Sequence, residues 1–569
     1  MLKLRPLMQM ANYSKAHICQ CMSRVSASRR SSTVTISGDR RKTGAQFVDG
    51  ILSLARGLRQ LGLQPGDVVA ISALNSDLYL EWLLAVAYAG GITAPLNYRW
   101  SLEEASEAVK VARPTLLVTD SALNSWHSKF DIDSISSLRW HVSIDIPFGV
   151  ESTWNGLTTK KLKNCHKISL ETNYMWAPEG AAIICFTSGT TGKPKGVTLS
   201  HSALIVQSLA KIAIVGYRED DVYLHMAPLC HIGGMSSAMA VLMAGGCHIL
   251  IPKFNAGLAV ESIHQYAVTS LITVPAMMTD LVSFYSRKGE SEGSPTVKKI
   301  LNGGGALSVE LINHAAKIFP RAKLISAYGM TEACSSMTFK TLYDPAKESV
   351  RRALQLNNDR DSNLARQQEG ICVGKPAPHV ELRVCAESSS RNGRILTRGS
   401  HVMLGYWGQI SNKTSKLAGE NWLDTGDIGH IDDHGNIWLI GRSKGRIKSG
   451  GENVYPEEVE AVLSQHPGVS GNVVVGLPDL RLGEMVVSCI QLKCNWQWDD
   501  LSSSPPSVNY LSADILRCFC KEKQLTRFKV PKRFIRWRNQ FPVTTTGKIK
   551  RDLVRAELMS NMQSMSSKL

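Results

Sequence analysis

The chain has 569 residues, 43% hydrophobic and 20% charged, with 45 Gly and 22 Pro. That is too long for one hydrophobic core, and it is no disordered, collagenous or coiled-coil composition. The formal charge of +17 sits at the ends: residues 1–38 hold six Lys/Arg and no acid, and residues 517–569 hold fourteen against Glu522, Asp552 and Glu557. The middle is neutral and carries no basic stripe interleaved with aromatics, so nucleic-acid binding is excluded. Thirteen cysteines form no C-x-x-C pair, as expected of reduced thiols rather than of a disulfide framework or a zinc site.

From the N-terminus, an acid-free start containing Ser and Arg has the composition of a transit peptide. Against that, Ile18, Met22 and Val25 recur at helical spacing. The reading here is a folded first helix, with residues 1–12 left as a targeting or alternative-start extension. Thr43 and Gln46 have the spacing of a capping box. Phe47, Ile51, Leu54, Leu58 and Leu61 then line one helical face, which Gly62 and Pro65 end. Residues 68–71 read as a short buried strand, and Asn75-Ser76 opens another helix. The near-apolar stretch 82–96 contains Gly90 and Gly91 and is too short to cross a bilayer, so no membrane insertion is expected. Helices and short apolar strands alternate to about residue 335, the pattern of doubly wound parallel sheets. Polar stretches at 344–369 and 498–510 read as surface insertions. A boundary falls between Gly441 and Gly451, before a helix signal at Pro456 followed by Glu457, Glu458, Val459 and Glu460.

Chemistry concentrates in 187–196. After an apolar strand at 181–186 come Thr187, Ser188, Gly189, Thr190, Thr191, Gly192, Lys193, Pro194, Lys195 and Gly196. Small hydroxyl residues and glycines let backbone N–H groups approach a phosphate closely, and lysine adds charge. The order is not that of a Walker A loop. Further on stand Ala227-Pro228-Leu229-Cys230-His231, Asn302-Gly303-Gly304-Gly305-Ala306-Leu307, Tyr328-Gly329-Met330-Thr331-Glu332, Trp422 to Asp427, Gly441-Arg442 through Ser449-Gly450-Gly451 to Pro456, and Thr544 to Lys548.

In this order the segments resemble the signatures of the adenylate-forming superfamily, which includes acyl-CoA synthetases, firefly luciferases and nonribosomal adenylation domains. The resemblance runs from about residue 15 to 555. It implies an α/β fold: a large N-terminal domain at 13–443, built of two α/β subdomains and a β-barrel-like subdomain, a hinge at 444–446, and a small mobile α+β lid at 447–566. The implied activity is an AMP-forming acid–CoA ligase using ATP, coenzyme A and an aromatic or acyl carboxylic acid, with Mg²⁺. Thr187 to Lys193 and Lys195 match the phosphate loop, and Lys548 the lysine that bridges carboxylate and α-phosphate, so Lys548, Lys195 and Thr187 are the expected catalytic group.

Gly304, Gly305, Ala306, Gly329 and Thr331 match the adenylate pocket, and Tyr328 the aromatic that stacks on adenine or packs in the core. Asp427 offers two acceptor oxygens to ribose hydroxyls, with Arg442 as a donor fork beside them. Glu332 is a hard-oxygen ligand suited to Mg²⁺, or a cap on the turn after Thr331. His231, Gly303 and Gly304 match the acyl-substrate side; Cys230 stands where relatives more often have an aromatic. Ser449, Gly450 and Gly451 match the coenzyme A loop, and Lys444 the hinge, followed by Gly445 where relatives often carry Asp. Aromatic and fatty acids both stay open as substrates, as does a luciferase-like oxidase. Intact Lys548, Glu332 and Thr187 argue against a catalytically silent adenylate-binding protein. The C-terminal Ser567-Lys568-Leu569 is the peroxisomal signal, and the N-terminus is a candidate chloroplast address.

Overall fold

The computed structural model describes residues 16–123, 135–145, 156–164, 173–188, 194–288, 293–347, 371–386, 391–409, 422–442, 445–498, 509–542 and 549–566. Residues 1–12, most of both polar insertions, and 567–569 lie outside the described residues.

The N-terminal helix spans Gln20–Ser28 and buries Cys21, Met22 and Val25. It begins later than the spacing suggests, because Cys19 is its N-cap; Ile18 is buried in the turn before it. The next helix, Gly44–Leu61, has the capping box: Gln46 N donates to Thr43 Oγ1 at 3.3 Å, and Thr43 N donates to Gln46 Oε1 at 2.9 Å. Phe47, Ile51, Leu54 and Leu58 are buried on one face, and Gly62 ends the helix at φ 100°, a conformation that favours glycine. Ser76 caps the helix Asp77–Tyr88 by accepting from Tyr79 N at 3.2 Å. The neighbouring Asn75 does something else. Its amide donates to Ala227 O at 3.1 Å and accepts from Leu229 N at 2.8 Å, tying down the loop that leads to His231.

Two large sheets form the N-terminal part. The first has eight strands, with a parallel run Ile92–Pro95, Val68–Ser72, Leu116–Thr119, Trp140–Ser143 and Leu157–Thr158. On its other side it continues through Ala181–Ser188, Pro194–Ser200 and the two-residue edge Gly405–Tyr406. The second has thirteen strands. Six are parallel, in the order Thr33–Ser37, Cys247–Leu250, Val222–His225, Ser270–Thr273, Lys299–Asn302 and Lys323–Met330. The first strand of the chain therefore pairs with one more than 200 residues downstream, and Arg40–Thr43 covers it at the edge. Direction reverses at Ser335–Tyr343, which pairs antiparallel with Lys323–Met330, and an antiparallel group from Ile371–Pro376 to Ile437–Arg442 completes the sheet. The β-rich subdomain is thus an extension of this sheet.

The expected alternation of strand and helix is interrupted around the glycine-rich segment. Ala181–Ser188 and Pro194–Ser200 are antiparallel partners, in register from Ala181 opposite Ser200 to Ser188 opposite Pro194. The glycine-rich segment therefore joins two arms of a hairpin instead of leading from a strand into a helix.

After residue 445 a separate five-stranded sheet forms, with Gly483–Leu492 at its centre. The helix Pro456–Leu463 starts with Pro at its first turn, as the sequence indicates. This sheet has its own apolar cores, one around Val459, Val474, Val486, Ile490 and Leu516, the other around Val473, Val487 and Val554.

Candidate active site

The loops at the ends of these sheets surround a cavity of about 250 Å³. Thr187, His231, Gly303, Gly304, Gly329, Thr331, Glu332, Gly450 and Gly451 all line it. Five separate segments of the sequence thus meet in one place.

The hairpin register sets Thr187 directly opposite Lys195, so both side chains project from the same face of the sheet. The Lys195 ammonium lies 5.3 Å from the centroid of the Tyr406 ring, and the Tyr406 hydroxyl donates to Glu332 Oε1 at 3.1 Å. The Lys195 ammonium and the buried Glu332 carboxylate are therefore connected through one tyrosine. Glu332 sits in the 3₁₀ turn Thr331–Ala333 and is 7% exposed. Burial, and secondarily the Glu332 carboxylate, push the Tyr406 hydroxyl well above its ordinary range, so it stays a donor.

Tyr328 is buried in the core beside Ile272, Leu301 and Ile325, and its hydroxyl donates to Asp427 Oδ2 at 2.6 Å. Burial first, then the Asp427 charge, raise the Tyr328 pKa. The ring thus packs in the core with its hydroxyl directed at Asp427. Asp427 pairs in register with Arg442, which brings the two ribose-side candidates to adjacent strands. Gly304 has φ 75°, and a Cβ built on it would stand 3.3 Å from Gly451 Cα. Gly305 O accepts from the Asn302 amide at 2.8 Å, and Ala306 is exposed beyond it. Gly189 to Lys193, Lys444 and Lys548 lie outside the described residues.

The C-terminal sheet presents the turn between Ile447–Ser449 and Glu452–Val454 to the cavity. Ser449 is buried, and Gly450 and Gly451 make the turn at φ 60° and 89°. Next to them, the Glu452 carboxylate pairs with Arg99 and stands 3.2 Å from His231 Nε2. His231 Nε2 also lies 3.1 Å from Arg99 Nη2 and 3.5 Å from Asn97 Nδ2. Burial alone would push the Glu452 carboxyl up, but His231, Arg99 and Lys529 together hold it down at about 2. Two further pairs cross between the parts of the chain. Lys529 binds Glu104 as well as Glu458, and Arg481 meets both Asp280 oxygens at 2.8 Å.

A hard divalent cation fits the donor set. Mg²⁺ is held by one or two carboxylates together with substrate phosphates, and Glu332 and Thr187 supply a buried carboxylate and a hydroxyl to the lining of one cavity. Among the described residues no group of three or more His, Cys, Asp or Glu could hold a metal by itself. The cysteines among them are free thiols, and no described helix is long and apolar enough to cross a membrane.

Residues 23–407 match the family model for AMP-binding enzymes, and residues 458–548 match the AMP-binding enzyme C-terminal domain. The chain belongs to the AMP-binding enzymes. As an AMP-binding enzyme it is 55% identical to the "2-succinylbenzoate--CoA ligase, chloroplastic/peroxisomal" of Arabidopsis thaliana, over 98% of this chain and 100% of that protein. It is 28% identical to the indoleacetate–CoA ligase of Aromatoleum aromaticum, over 90% of this chain and 92% of the relative. Its fold is shared with a double mutant of the o-succinylbenzoate CoA synthetase of Bacillus subtilis bound with a product analogue (TM-score 0.71, 24% identity, 94% of this chain and 97% of that one). The amide bond synthetase of Marinactinospora thermotolerans shares it too (TM-score 0.75, 23% identity, 95% and 99%).

Several residues in or beside this cavity make contacts that no sequence motif marks. Glu452 lies inside a recognised motif, but nothing local announces that it bonds Arg99, 353 positions away. Tyr406 carries a weak signal, an aromatic after Gly405 at a sheet edge. Lys211 carries a plain one: it is the lone Lys, Arg, Asp or Glu in the helix His201–Val215.

Proposed function

We propose that this AMP-binding enzyme is an AMP-forming acid–CoA ligase acting on 2-succinylbenzoate. The observation that carries the ligase reading is that one cavity is lined both by Thr187 and Glu332 and by the Gly450–Gly451 turn. A site for adenylation and a site for a thiol thus share one acyl-binding space. The identity of 55% to the Arabidopsis ligase supports 2-succinylbenzoate as the acid.

In the first half-reaction a carboxylate oxygen attacks the α-phosphorus of ATP, pyrophosphate leaves, and an acyl-adenylate results. In the second, the coenzyme A thiolate attacks the acyl carbon and AMP leaves. Thr187, Lys195 and the 189–193 segment bind phosphate, Asp427 and Arg442 hold the ribose, and Lys548 bridges carboxylate and α-phosphate. Catalysis in this half is mainly positioning and charge neutralisation. Mg²⁺, held by Glu332, would neutralise phosphate charge. The C-terminal domain turns on 444–446; the docked arrangement, with Ser449 to Gly451 over the cavity, corresponds to the thioester-forming state. We place the enzyme in peroxisomes with a second address in plastids, in line with the Arabidopsis relative's name.

Pyrophosphate release across a panel of acids, with and without coenzyme A, tests the reading. 2-Succinylbenzoate should exceed coumarate and medium-chain fatty acids in CoA-dependent AMP formation. A tenfold preference for a competitor, about 1.4 kcal/mol in transition-state binding, would overturn the assignment.

A further inference from the structure

2-Succinylbenzoate bears two carboxylates, and only one becomes a thioester. The other enters the cavity as an anion and needs a counter-charge there, because an unpaired buried carboxylate is strongly disfavoured. Of the cations in the cavity lining, Arg99 is paired with Glu452, Lys529 with Glu104 and Glu458, and Arg446 and Lys448 belong to the C-terminal part, which changes position on the proposed mechanism. Lys211 is different. Its side chain is fully buried, yet it reaches the cavity wall, where Ile272, Leu301 and Ala327 provide apolar surface.

The partners of the Lys211 ammonium are three hydroxyls: Ser236 Oγ at 2.6 Å, Ser237 Oγ at 3.1 Å and Ser335 Oγ at 3.3 Å. Serine oxygens orient an ammonium but do not neutralise it. Ser236 and Ser237 belong to the helix that follows His231, and Ser335 stands three residues after Glu332. The lysine is thus aimed by the segments that form the acyl and phosphate sides of the site. A methionine would fill the same space without the cost of burying a charge. That cost pushes the Lys211 ammonium down to about 7, and a bound carboxylate would offset it.

We propose that Lys211 holds the carboxylate that is not activated, and so selects an aromatic diacid over the corresponding monoacid. The proposal rests on the 2-succinylbenzoate reading and adds the residue that enforces it. An aromatic ring against Ile272 and Leu301, with its anionic group on Lys211, accounts for a buried lysine placed beside apolar side chains.

The test uses the full-length enzyme and two monoacid probes. These are 4-oxo-4-phenylbutanoate, which lacks the ring carboxylate, and 2-butanoylbenzoate, which lacks the side-chain one; the probe that wild type turns over serves as reference. Lys211→Met should lower kcat/KM for 2-succinylbenzoate about 10²-fold or more, mainly through KM, since a site built for a polar group discriminates strongly. It should leave the reference monoacid within about threefold, so the preference for the diacid collapses. Lys211→Gln, which keeps a donor for the serines but no charge, should show the same collapse and covers a Met variant that does not fold. If wild type prefers the diacid and either folded variant keeps that preference, Lys211 is a structural strut and the proposal fails while the substrate reading stands. If wild type does not use 2-succinylbenzoate, the substrate reading fails first and takes the proposal with it.

Discussion

Replacing Glu452 by Gln probes how the C-terminal domain docks. The side chain is 13% exposed and meets Arg99 and His231 across the boundary between the two parts of the chain. Held at about 2 against an ordinary 4.5, the carboxyl contributes up to about 3 kcal/mol to the docked arrangement at neutral pH, at ~1.36 kcal/mol per tenfold change in proton affinity. The sign follows from linkage. A depressed carboxyl stabilises the docked state fully above about 4.5, and that stabilisation is lost as pH falls toward 2. The amide of Gln retains shape and one acceptor but not the charge. On the proposal that docking serves the thioester step, Glu452→Gln should slow conversion of a supplied acyl-adenylate plus coenzyme A by up to about 10²-fold. Pyrophosphate release in the first half-reaction should stay within about threefold of wild type, because no adenylation contact is removed. Equal slowing of both half-reactions, or of neither, would refute the argument. Arg481→Ala is the control: its pair with Asp280 is half-exposed and should be worth less than about 1 kcal/mol.

Three further outcomes are expected. Lys548→Ala should cut adenylation about 10²-fold or more while a supplied acyl-adenylate still reacts with coenzyme A near the wild-type rate, measured by separate half-reaction assays. Tyr406→Phe removes the hydroxyl on Glu332 and should lower kcat/KM for adenylation by about tenfold or more, the scale of one hydrogen bond to a charged group, with the ATP dependence measured against Mg²⁺ concentration. Lys211, lowered by burial from 10.5 to about 7, binds fewer protons folded than unfolded between those values. Stability should therefore rise with pH from 7 toward 8.5, by at most about 1.4 kcal/mol per pH unit, and denaturant titration of Lys211→Met should show that slope removed. Cys334, the titratable group that acts on Lys211, is pushed up by burial to about 12 and stays neutral across this range.

The parts of this protein that were legible in its sequence are those fixed by short-range chemistry. The capping box at Thr43 and Gln46, the stop at Gly62 and the proline start at Pro456 each need only a few neighbours. The site segments were legible because close approach to phosphate demands small residues in a fixed order. What the sequence left hidden depends on partners far away along the chain. The pairing of Pro194–Ser200 back onto Ala181–Ser188 is set by register, which apolar alternation alone does not specify. Glu452 finds Arg99 only when two domains meet. Nothing beside Tyr328 announces that its hydroxyl meets Asp427.

The pairing of Thr33–Ser37 with Cys247–Leu250 has a consequence for how the chain is made. During synthesis the first strand leaves the ribosome long before its neighbour exists. At about 5–20 residues per second, roughly 200 further residues take on the order of 10–40 s. Over that interval the strand that carries Val34 and Ile36, both buried in the finished protein, lacks its parallel neighbour Cys247–Leu250. The strand is therefore a late stitch that fastens the opening of the chain into a sheet built after it, and until the stitch is made its pairing in that sheet is limited to Arg40–Thr43.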